Sequence, residues 1–283
     1  MILWKTPRHT FDLTHRGLIM GVLNVTPDSF SDGGRFLALE AAVARAKEME
    51  AEGADIIDIG GESTRPGAMA VPAEEELRRV VPVVRAVREA TRCFISVDTM
   101  KAAVAAAAME AGADIINDVS GLHADPDMAA VVARTGAGLV LMHMQGTPET
   151  MQERPAYTDL VSEIQTSLRE SMDRALAAGV ARPCLALDPG IGFGKTLEHN
   201  LAILRDPAAF ALDGSPVLLG VSRKSFIARI LGPGDPAARL WPTVALTSFT
   251  RERGARIFRV HDVRENARAL RMTEAILGPP SGT

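Results

Sequence analysis

Short apolar runs and amphipathic stretches alternate along almost the whole chain. Each apolar run is followed by a stretch whose apolar residues recur every three or four positions, as in Leu39, Val43, Ala46 and Met49. This spacing is typical of a helix that packs one face on a core. The pattern therefore predicts alternating strands and helices. The predicted strands are residues 18–25, 54–60, 93–98, 113–119, 138–144, 184–188, 216–222 and 256–261.

Eight strand–helix units indicate an α/β fold, and we expect a (β/α)8 TIM barrel. The strands are continuously aliphatic, which is typical of a parallel sheet covered by helices, and eight strands can close a barrel. A doubly wound open sheet is the alternative, because sequence alone does not show closure. Residues 2–13 predict a short β-hairpin before the barrel. With no linker-like segment, we expect one domain over residues 1–283. The element GADII occurs at 53–57 and at 112–116, where a glycine ends a helix before a buried strand.

The composition limits the classes of function. A net charge of −4 and a pI near 5.9 argue against nucleic acid or an anionic membrane as a main partner. No apolar run reaches the length needed to span a membrane. Cys93 and Cys184 lie singly within apolar runs, which suits free thiols and a cytoplasmic location.

Only five of the 31 basic residues are lysines. Lys101, Lys195 and Lys224 follow strand ends, which suggests a use for a compact ammonium there.

Almost every predicted strand of the barrel ends in ionisable or amide side chains. The carboxyl ends of the strands of a parallel barrel meet at one rim, where active sites are built. This distribution therefore indicates an enzyme. The side chains at the strand ends are Asn24, Asp28, Asp32, Asp58, Glu62, Thr64, Arg65, Asp98, Asn117, Asp118, His143, Asp188, Ser222, Arg223, Lys224, Ser225, Arg259, His261 and Asp262.

The middle strands supply the groups that suit a flat nitrogen heterocycle. Asp98, Asn117 and Asp188 offer two carboxylates and an amide. A carboxylate can pair with the ring N–H and amino donors of such a heterocycle.

The last two strands supply a corner that suits phosphate. Lys224, Arg259 and His261 form a cationic group at the place where phosphate commonly sits in this fold. Asn24 beside it is a neutral oxygen ligand, which suits Mg²⁺ held mainly by phosphate oxygens and water. Zinc is not expected, because no His/Cys cluster has ligand spacing.

Eight motifs are collinear over nearly the whole chain and resemble those of the dihydropteroate synthase family. The first, second and sixth are the most specific. The motifs are MGVLNVTPDSFSDGG (20–34), GGESTRPG (60–67), SVDTMK (96–101), IINDVSG (115–121), LMHMQGTPETMQ (141–152), LDPGIGFGKT (187–196), GVSRKSFI (220–227) and RVHDV (259–263).

The resemblance implies a transferase of folate biosynthesis. The reaction would join (7,8-dihydropterin-6-yl)methyl diphosphate to 4-aminobenzoate, releasing diphosphate and 7,8-dihydropteroate. It also implies Mg²⁺ as cofactor, small molecules as partners and a homodimer. The mechanism needs no covalent enzyme intermediate, since a cation-like transition state can be stabilised electrostatically.

The resemblance also implies roles for individual residues. The pterin and its diphosphate would be bound by Thr64, Arg65, Asp98, Asn117, Met142, Asp188, Lys224, Arg259 and His261. The 4-aminobenzoate pocket would be formed by Phe30, Pro66, Phe193 and Ser225. Catalysis would depend on Asp32, Asp98, Lys224 and Arg259. Asn24 would ligate Mg²⁺, and the loops at 26–36 and 62–72 would close over the site.

Other strand-end residues have structural explanations of equal or greater weight. Asp58 and Glu62 can be structural hydrogen-bonding groups, and His143 can be a satisfied histidine at the rim. Lys101 can simply begin a helix, and Lys195 can contact a loop or face solvent. Asp262, followed by Glu265, predicts a capping box for the last helix.

Two other functions fit parts of the pattern. A methyltetrahydrofolate:corrinoid methyltransferase would share the Asp/Asn group but would not need Phe30 or the SRKS motif. A non-catalytic paralogue could bind pterin alone. One segment departs from the family, because Trp241 and Pro242 stand where small residues are usual. This departure leaves the helix boundaries there, and any subunit contact at that end, open.

Overall fold

Eight parallel strands close into a barrel in the computed structural model, which describes residues 1–25, 34–65, 67–232 and 235–278. The strands pair in chain order, and the last pairs with the first. The expected barrel is thus confirmed and the open sheet is wrong. The strands of the barrel are β3 (Leu18–Asn24), β4 (Ile56–Gly60), β5 (Phe94–Asp98), β6 (Ile115–Asp118), β7 (Gly138–Met142), β8 (Leu185–Asp188), β9 (Val217–Leu219) and β10 (Ala255–Val260).

Helices alternate with these strands, as the apolar spacing predicted. The α-helices of the described ranges are α1 (Gly34–Glu52), α2 (Ala73–Ala90), α3 (Ala102–Glu110), α4 (Met128–Thr135), α5 (Leu160–Ala177), α6 (Leu197–Arg205), α7 (Ser225–Leu231), α8 (Leu240–Glu252) and α9 (Val263–Leu277). Short 3-10 helices span Arg182–Cys184, Pro207–Phe210, Leu212–Gly214 and Pro236–Arg239. Each helix within the described ranges is too short or too polar to cross a membrane.

The predicted hairpin is present and packs on the amino end of the barrel. Its antiparallel strands are β1 (Leu3–Lys5) and β2 (Thr10–Asp12). Trp4 is fully buried and its indole N–H donates to the Cys184 carbonyl at 3.0 Å. The hairpin side chains join one apolar cluster with inward-facing strand residues such as Ile56 and Ile115. The opposite, carboxyl end of the barrel is therefore the end that is left for a ligand.

A second core fills the space between the barrel and the helices. Ile57 belongs to it, whereas its neighbour Ile56 faces the barrel interior, as the alternation of a strand requires. The unusual Trp241–Pro242 pair lies in the first turn of α8, where the missing N–H of a proline removes no helical hydrogen bond. Trp241 itself is 69% exposed.

Candidate active site

The strand register places three predicted site residues in one row at the carboxyl end of the barrel. Asn24 pairs with Gly60, Gly60 pairs with Asp98, and Asp98 pairs with Asn117. Gly60 has no side chain, and a Cβ built there would lie 3.7 Å from Asn24 Oδ1 and 3.9 Å from Asp98 Oδ2. The amide and the carboxylate therefore face a common space.

Arg259 of β10 reaches across this mouth and joins two carboxylates. Its Nε donates to Asp58 Oδ2 at 2.6 Å, and its Nη2 donates to Asp98 Oδ2 at 2.8 Å. Asn117 Nδ2 donates to the same Asp58 oxygen at 3.3 Å. Burial opposes the charge, but the two carboxylates raise the pKa of Arg259 above its ordinary value. Asp58 thus positions both Arg259 and Asn117.

Two buried carboxylate oxygens beside Arg259, Asp58 Oδ1 and Asp98 Oδ1, have no hydrogen-bond partner among the described residues. Buried acceptors without a donor are rare, because each loses its hydration without compensation. Burial raises the pKa of Asp98 to about 7, although Arg259 lowers it. A ligand that donates an N–H here would therefore satisfy an acceptor that the protein leaves open.

Asp188 is held at the end of β8 by its own loop. Its Oδ1 accepts the Gly190 N–H at 2.7 Å. Burial raises the pKa of Asp188 to about 6, while this hydrogen bond, Lys224, Lys195 and Arg259 act in the other direction. The side chain is therefore mainly an ionised acceptor at neutral pH.

An apolar surface lies beside these polar groups. The buried residues Val119, Met142, Met151 and Phe193 form one cluster, and Lys224 Nζ lies 4.1 Å from the centroid of the Phe193 ring. Burial, and then Arg259, lower the pKa of Lys224 to about 8. Hydrogen-bonding groups at one edge and an apolar surface beside them suit a flat heterocycle.

His261 changes the predicted cationic corner. Its Nδ1 lies 3.0 Å from the Ser222 hydroxyl, which also accepts the His261 backbone N–H at 3.1 Å. Burial, and then Arg259, lower the pKa of His261 to about 3. The ring is therefore neutral at physiological pH, and the positive charge of this corner comes from Lys224 and Arg259.

The β4–α2 loop brings Thr64, which is half-buried, and Arg65, which is exposed, to the same end of the barrel. The loop is anchored at Glu62, whose carboxylate pairs with Lys101. The same ammonium pairs with the fully buried Glu76 at 2.5 Å. Lys101 is thus an ion-pairing residue that fixes the loop, rather than only the start of a helix.

The predicted 4-aminobenzoate residues are divided between described and undescribed parts of the chain. Phe193 lies under Lys224, and Ser225 is exposed at the first residue of α7. Phe30, Pro66 and the predicted catalytic Asp32 fall outside the described residues. Their roles therefore stay predictions.

His143 and Lys195 form a buried pair that the sequence did not predict. Lys195 Nζ lies 3.0 Å from His143 Nδ1 and donates to the Phe193 carbonyl at 2.9 Å. Burial, and then Lys195, lower the pKa of His143 to about 3. The lysine contacts the loop and does not face solvent, and the histidine is a satisfied residue, as its structural explanation required.

The predicted capping box at Asp262 is wrong. Asp262 stands at the N-cap of α9 but makes no side-chain cap hydrogen bond. Its carboxylate instead binds Arg223, with Nε–Oδ2 and Nη2–Oδ1 distances of 3.1 and 2.5 Å. The Arg223 guanidinium, from the loop between β9 and α7, offers two charge-assisted hydrogen bonds, which outweigh one bond to a backbone N–H.

A cavity of about 560 Å³ lies to one side of the polar row, among the loops after β4, β5, β6 and β7. Its lining includes Met100, Met144, His123, Pro148 and Ala68. Met100 and Met144 also pack against the apolar cluster of Met142 and Phe193. The cavity therefore adjoins the site but does not contain its polar groups.

Comparison with known proteins gives a consistent result. The family model described as "Pterin binding enzyme" matches residues 20–261. The dihydropteroate synthase of Escherichia coli (strain K12) is 48% identical over 268 residues, covering 95% of this chain and 94% of that protein. The dihydropteroate synthase of Xanthomonas albilineans, solved with 4-aminobenzoic acid, superposes with a TM-score of 0.91 at 43% identity and 99% coverage of both chains. That of Burkholderia cenocepacia, complexed with 7,8-dihydropteroate, gives a TM-score of 0.88 at 41% identity, covering 97% of this chain and 96% of that one.

Proposed function

The chain belongs to the pterin-binding enzyme family, and we propose that it is a transferase that joins (7,8-dihydropterin-6-yl)methyl diphosphate to 4-aminobenzoate. The products are 7,8-dihydropteroate and diphosphate, and the reaction is a step of folate biosynthesis. The observation that carries the proposal is the group of buried polar side chains at the carboxyl ends of the middle strands, Asp98, Asn117 and Asp188. Within this group the Asp98 Oδ1 atom has no hydrogen-bond partner among the described residues.

The pterin ring is the ligand that suits this group of side chains. Asp98 and Asp188 accept the ring N–H and amino donors, and Asn117, which Asp58 orients, offers an amide for the remaining ring groups. Met142 supplies apolar contact to the ring. A donor from the ring to Asp98 also stabilises the ionised carboxylate, so binding lowers the pKa that burial has raised.

The diphosphate lies toward the last two strands. Lys224 and Arg259 carry the positive charge, Thr64 and His261 add hydrogen-bonding groups, and Arg65 lies on the same loop as Thr64. These groups stabilise the leaving diphosphate as the bond between its oxygen and the pterin methylene breaks. A positive charge develops on the pterin methylene at that moment, and the Asp98 carboxylate stabilises it, with Asp32 as a second predicted group.

The new bond forms between the methylene carbon and the amino nitrogen of 4-aminobenzoate, which then loses a proton. Because the nitrogen already carries a lone pair, no strong general base is needed. Phe193 and Ser225 lie beside Lys224 and are proposed to line the aminobenzoate pocket together with Phe30 and Pro66.

Magnesium is proposed as the cofactor, with Asn24 as a protein ligand. The Asn24 amide oxygen faces the space above Gly60 that the Asp98 carboxylate also borders, and an oxygen donor set suits this hard cation. Within the described ranges no group of three His, Cys, Asp or Glu side chains could hold a metal ion, so diphosphate and water would supply most ligands. When bound, Mg²⁺ supplies charge neutralisation for the leaving group.

A homodimer is proposed from an apolar surface at the α8–α9 side of the barrel. Trp241 and Phe249 of α8 and Met272 and Ile276 of α9 are exposed large apolar side chains, and the two helices pack on each other. Such a grouping suits a contact with a second copy of the chain. A cytoplasmic location is inferred from the buried free thiols of Cys93 and Cys184.

A coupled assay of diphosphate release tests the proposed reaction. We expect release that requires both the dihydropterin diphosphate and 4-aminobenzoate, with 7,8-dihydropteroate identified by mass spectrometry. Asp188→Asn, which keeps the side-chain shape but removes the negative charge, should reduce kcat/KM for the pterin substrate by at least about 100-fold. Diphosphate release that does not depend on 4-aminobenzoate would exclude the synthase. Pterin binding without turnover would favour the non-catalytic paralogue.

A further inference from the structure

Lys195 holds a buried ammonium whose hydrogen-bond acceptors in the described part of the chain are all neutral. The residue is 2% exposed. Its Nζ lies 2.9 Å from the Phe193 carbonyl, 3.0 Å from His143 Nδ1 and 3.5 Å from the His143 carbonyl. Burying a charge without a carboxylate in contact is costly, and burial lowers the pKa of Lys195 to about 7. Packing alone therefore does not explain a lysine at this position.

The lysine joins two segments of the barrel mouth that are already fitted closely together. The loop between β8 and α6 passes over the chain that follows β7. At Gly190, with φ of 74°, a Cβ would lie 1.9 Å from the His143 carbonyl oxygen, and at Gly194, with φ of 60°, it would lie 2.6 Å from the Gln145 carbonyl oxygen. Only glycine permits this approach at positive φ. The ammonium of Lys195 then bonds both segments from inside.

The same loop fixes Asp188. Gly190 donates its N–H to Asp188 Oδ1 at 2.7 Å, and the His143 N–H donates to the Asp188 carbonyl at 2.9 Å. Lys195 Nζ lies 3.3 Å from the position of a Cβ on Gly190. The ammonium therefore lies behind the carboxylate, separated from it by the glycine that hydrogen-bonds to it.

Three cations act on the Asp188 carboxylate, and they differ in their other charged neighbours. Lys224 and Arg259 line the corner where the diphosphate is proposed to bind, and Arg259 already pairs with Asp58 and Asp98. Lys195 contacts no carboxylate among the described residues, and Asp188 is the carboxylate that its charge influences. Its charge is therefore the one that remains directed at Asp188 when an anion occupies the corner.

We propose that Lys195 is a positioning residue of the pterin site, which locks the β8–α6 loop to His143 and keeps Asp188 in the ionised form that accepts hydrogen bonds from the ring. This inference rests on the proposed function. Lys195 itself is not proposed to contact the substrate, because it acts by positioning the loop and by keeping Asp188 ionised.

The test measures binding of 6-hydroxymethyl-7,8-dihydropterin by calorimetry between pH 5.5 and 8.5. This probe lacks the diphosphate, so it reports on the ring alone. The variants are Lys195→Met, which removes the charge, and Lys195→Arg, which keeps it. Lys47→Met is the matched control, because it removes an exposed lysine of α1 that lies outside the site. Lys195→Gln replaces Lys195→Met if that variant does not fold.

The expected result is a loss of affinity in Lys195→Met that depends on pH. If the pKa of Asp188 rises by one unit from its value of about 6, binding weakens about five-fold at pH 6 and by less than about 1.5-fold at pH 8, relative to the unchanged protein. Lys195→Arg and Lys47→Met should give ratios that do not vary with pH. A loss in Lys195→Met that is uniform over the pH range, or no loss, would overturn the proposal. Absence of binding by the unchanged protein would instead count against the proposed function.

Discussion

At the scale of single residues, Arg259 determines the charge balance of the barrel mouth. Its guanidinium neutralises Asp58 and Asp98, both buried. We predict that Arg259→Ala lowers the free energy of unfolding by about 3 kcal/mol, because it leaves two buried carboxylates without a partner. It should also abolish measurable binding of the diphosphate substrate.

Arg65→Ala is the matched control for that variant. Arg65 is an exposed arginine of the same rim, so its removal should change the free energy of unfolding by less than about 0.5 kcal/mol. Urea unfolding of both variants makes the comparison. Equal stability of Arg259→Ala and the unchanged protein would refute the structural part of the assignment.

The pH dependence of the reaction is expected to come from carboxylates. Burial raises the pKa of Asp98 to about 7 and that of Asp188 to about 6, so both gain protons, and lose acceptor strength, as the pH falls from 7.5 to 5.5. We predict that kcat/KM for the pterin substrate falls over this interval, with apparent values that belong to the coupled set of groups. His261, with a pKa of about 3, is neutral throughout, so His261→Gln should lower the rate without moving the acid limb. A shifted limb in His261→Gln would contradict this assignment.

The fold explains which site residues the sequence could predict. Asp98, Asn117 and Asp188 end parallel strands, and such ends always meet at one rim. Asp58 lies in the middle of β4 and Arg259 near the end of β10, but their ion pair joins residues 201 positions apart. The Lys195–His143 contact joins residues 52 positions apart. Periodicity carries no information on such distant side-chain partners, so the sequence left the roles of Asp58, His143 and Lys195 open.

At the scale of elements, Lys101 links the β4–α2 loop to the body of the barrel. Lys101→Met leaves the buried Glu76 and the nearly buried Glu62 without their cation, which should cost about 3 kcal/mol of stability. Glu62 also accepts the Val71 N–H at 3.1 Å, so the loop should open locally. Amide hydrogen exchange over residues 61–71 measures this directly.

The double variant Lys101→Met/Glu76→Gln is the control for the Lys101 prediction. Removing the buried negative charge together with its cation should recover a large part of the lost stability, because the remaining cost is mainly that of an unpaired charge. No recovery in the double variant, or unchanged exchange of the loop in Lys101→Met, would argue against the ion-pair role.

The repeated GADII element shows how far local sequence determines an element. Its glycine and its strand were predicted, but the function of its aspartate was not. Asp55 accepts the backbone N–H of Ile19, and Asp114 accepts that of Ile95, both at 2.9 Å. Each carboxylate thus accepts a hydrogen bond from the barrel strand that precedes its own in the chain. At Asp262 the local motif failed outright, because the distant partner Arg223 supplies the stronger interaction.

At the scale of the whole molecule, the apolar α8–α9 surface predicts association. Light scattering should give twice the chain mass of 30.2 kDa for the unchanged protein. Trp241→Glu, which places a charge on the proposed contact surface, should shift the equilibrium to the monomer. Met69→Glu, at an exposed apolar residue of the β4–α2 loop, should leave the dimer intact. A monomer in the unchanged protein would refute the contact.

The barrel as a whole offers two places for a pterin at its carboxyl end, and a crystal structure with bound 7,8-dihydropteroate distinguishes them. We predict that the pterin ring lies within hydrogen-bond distance of Asp98 Oδ1, Asn117 and Asp188, with Met142 in contact with the ring. A ring bound instead in the cavity of about 560 Å³ beside Met100 and Met144, with Asp98 and Asp188 free of contacts to it, would contradict the assignment of the site.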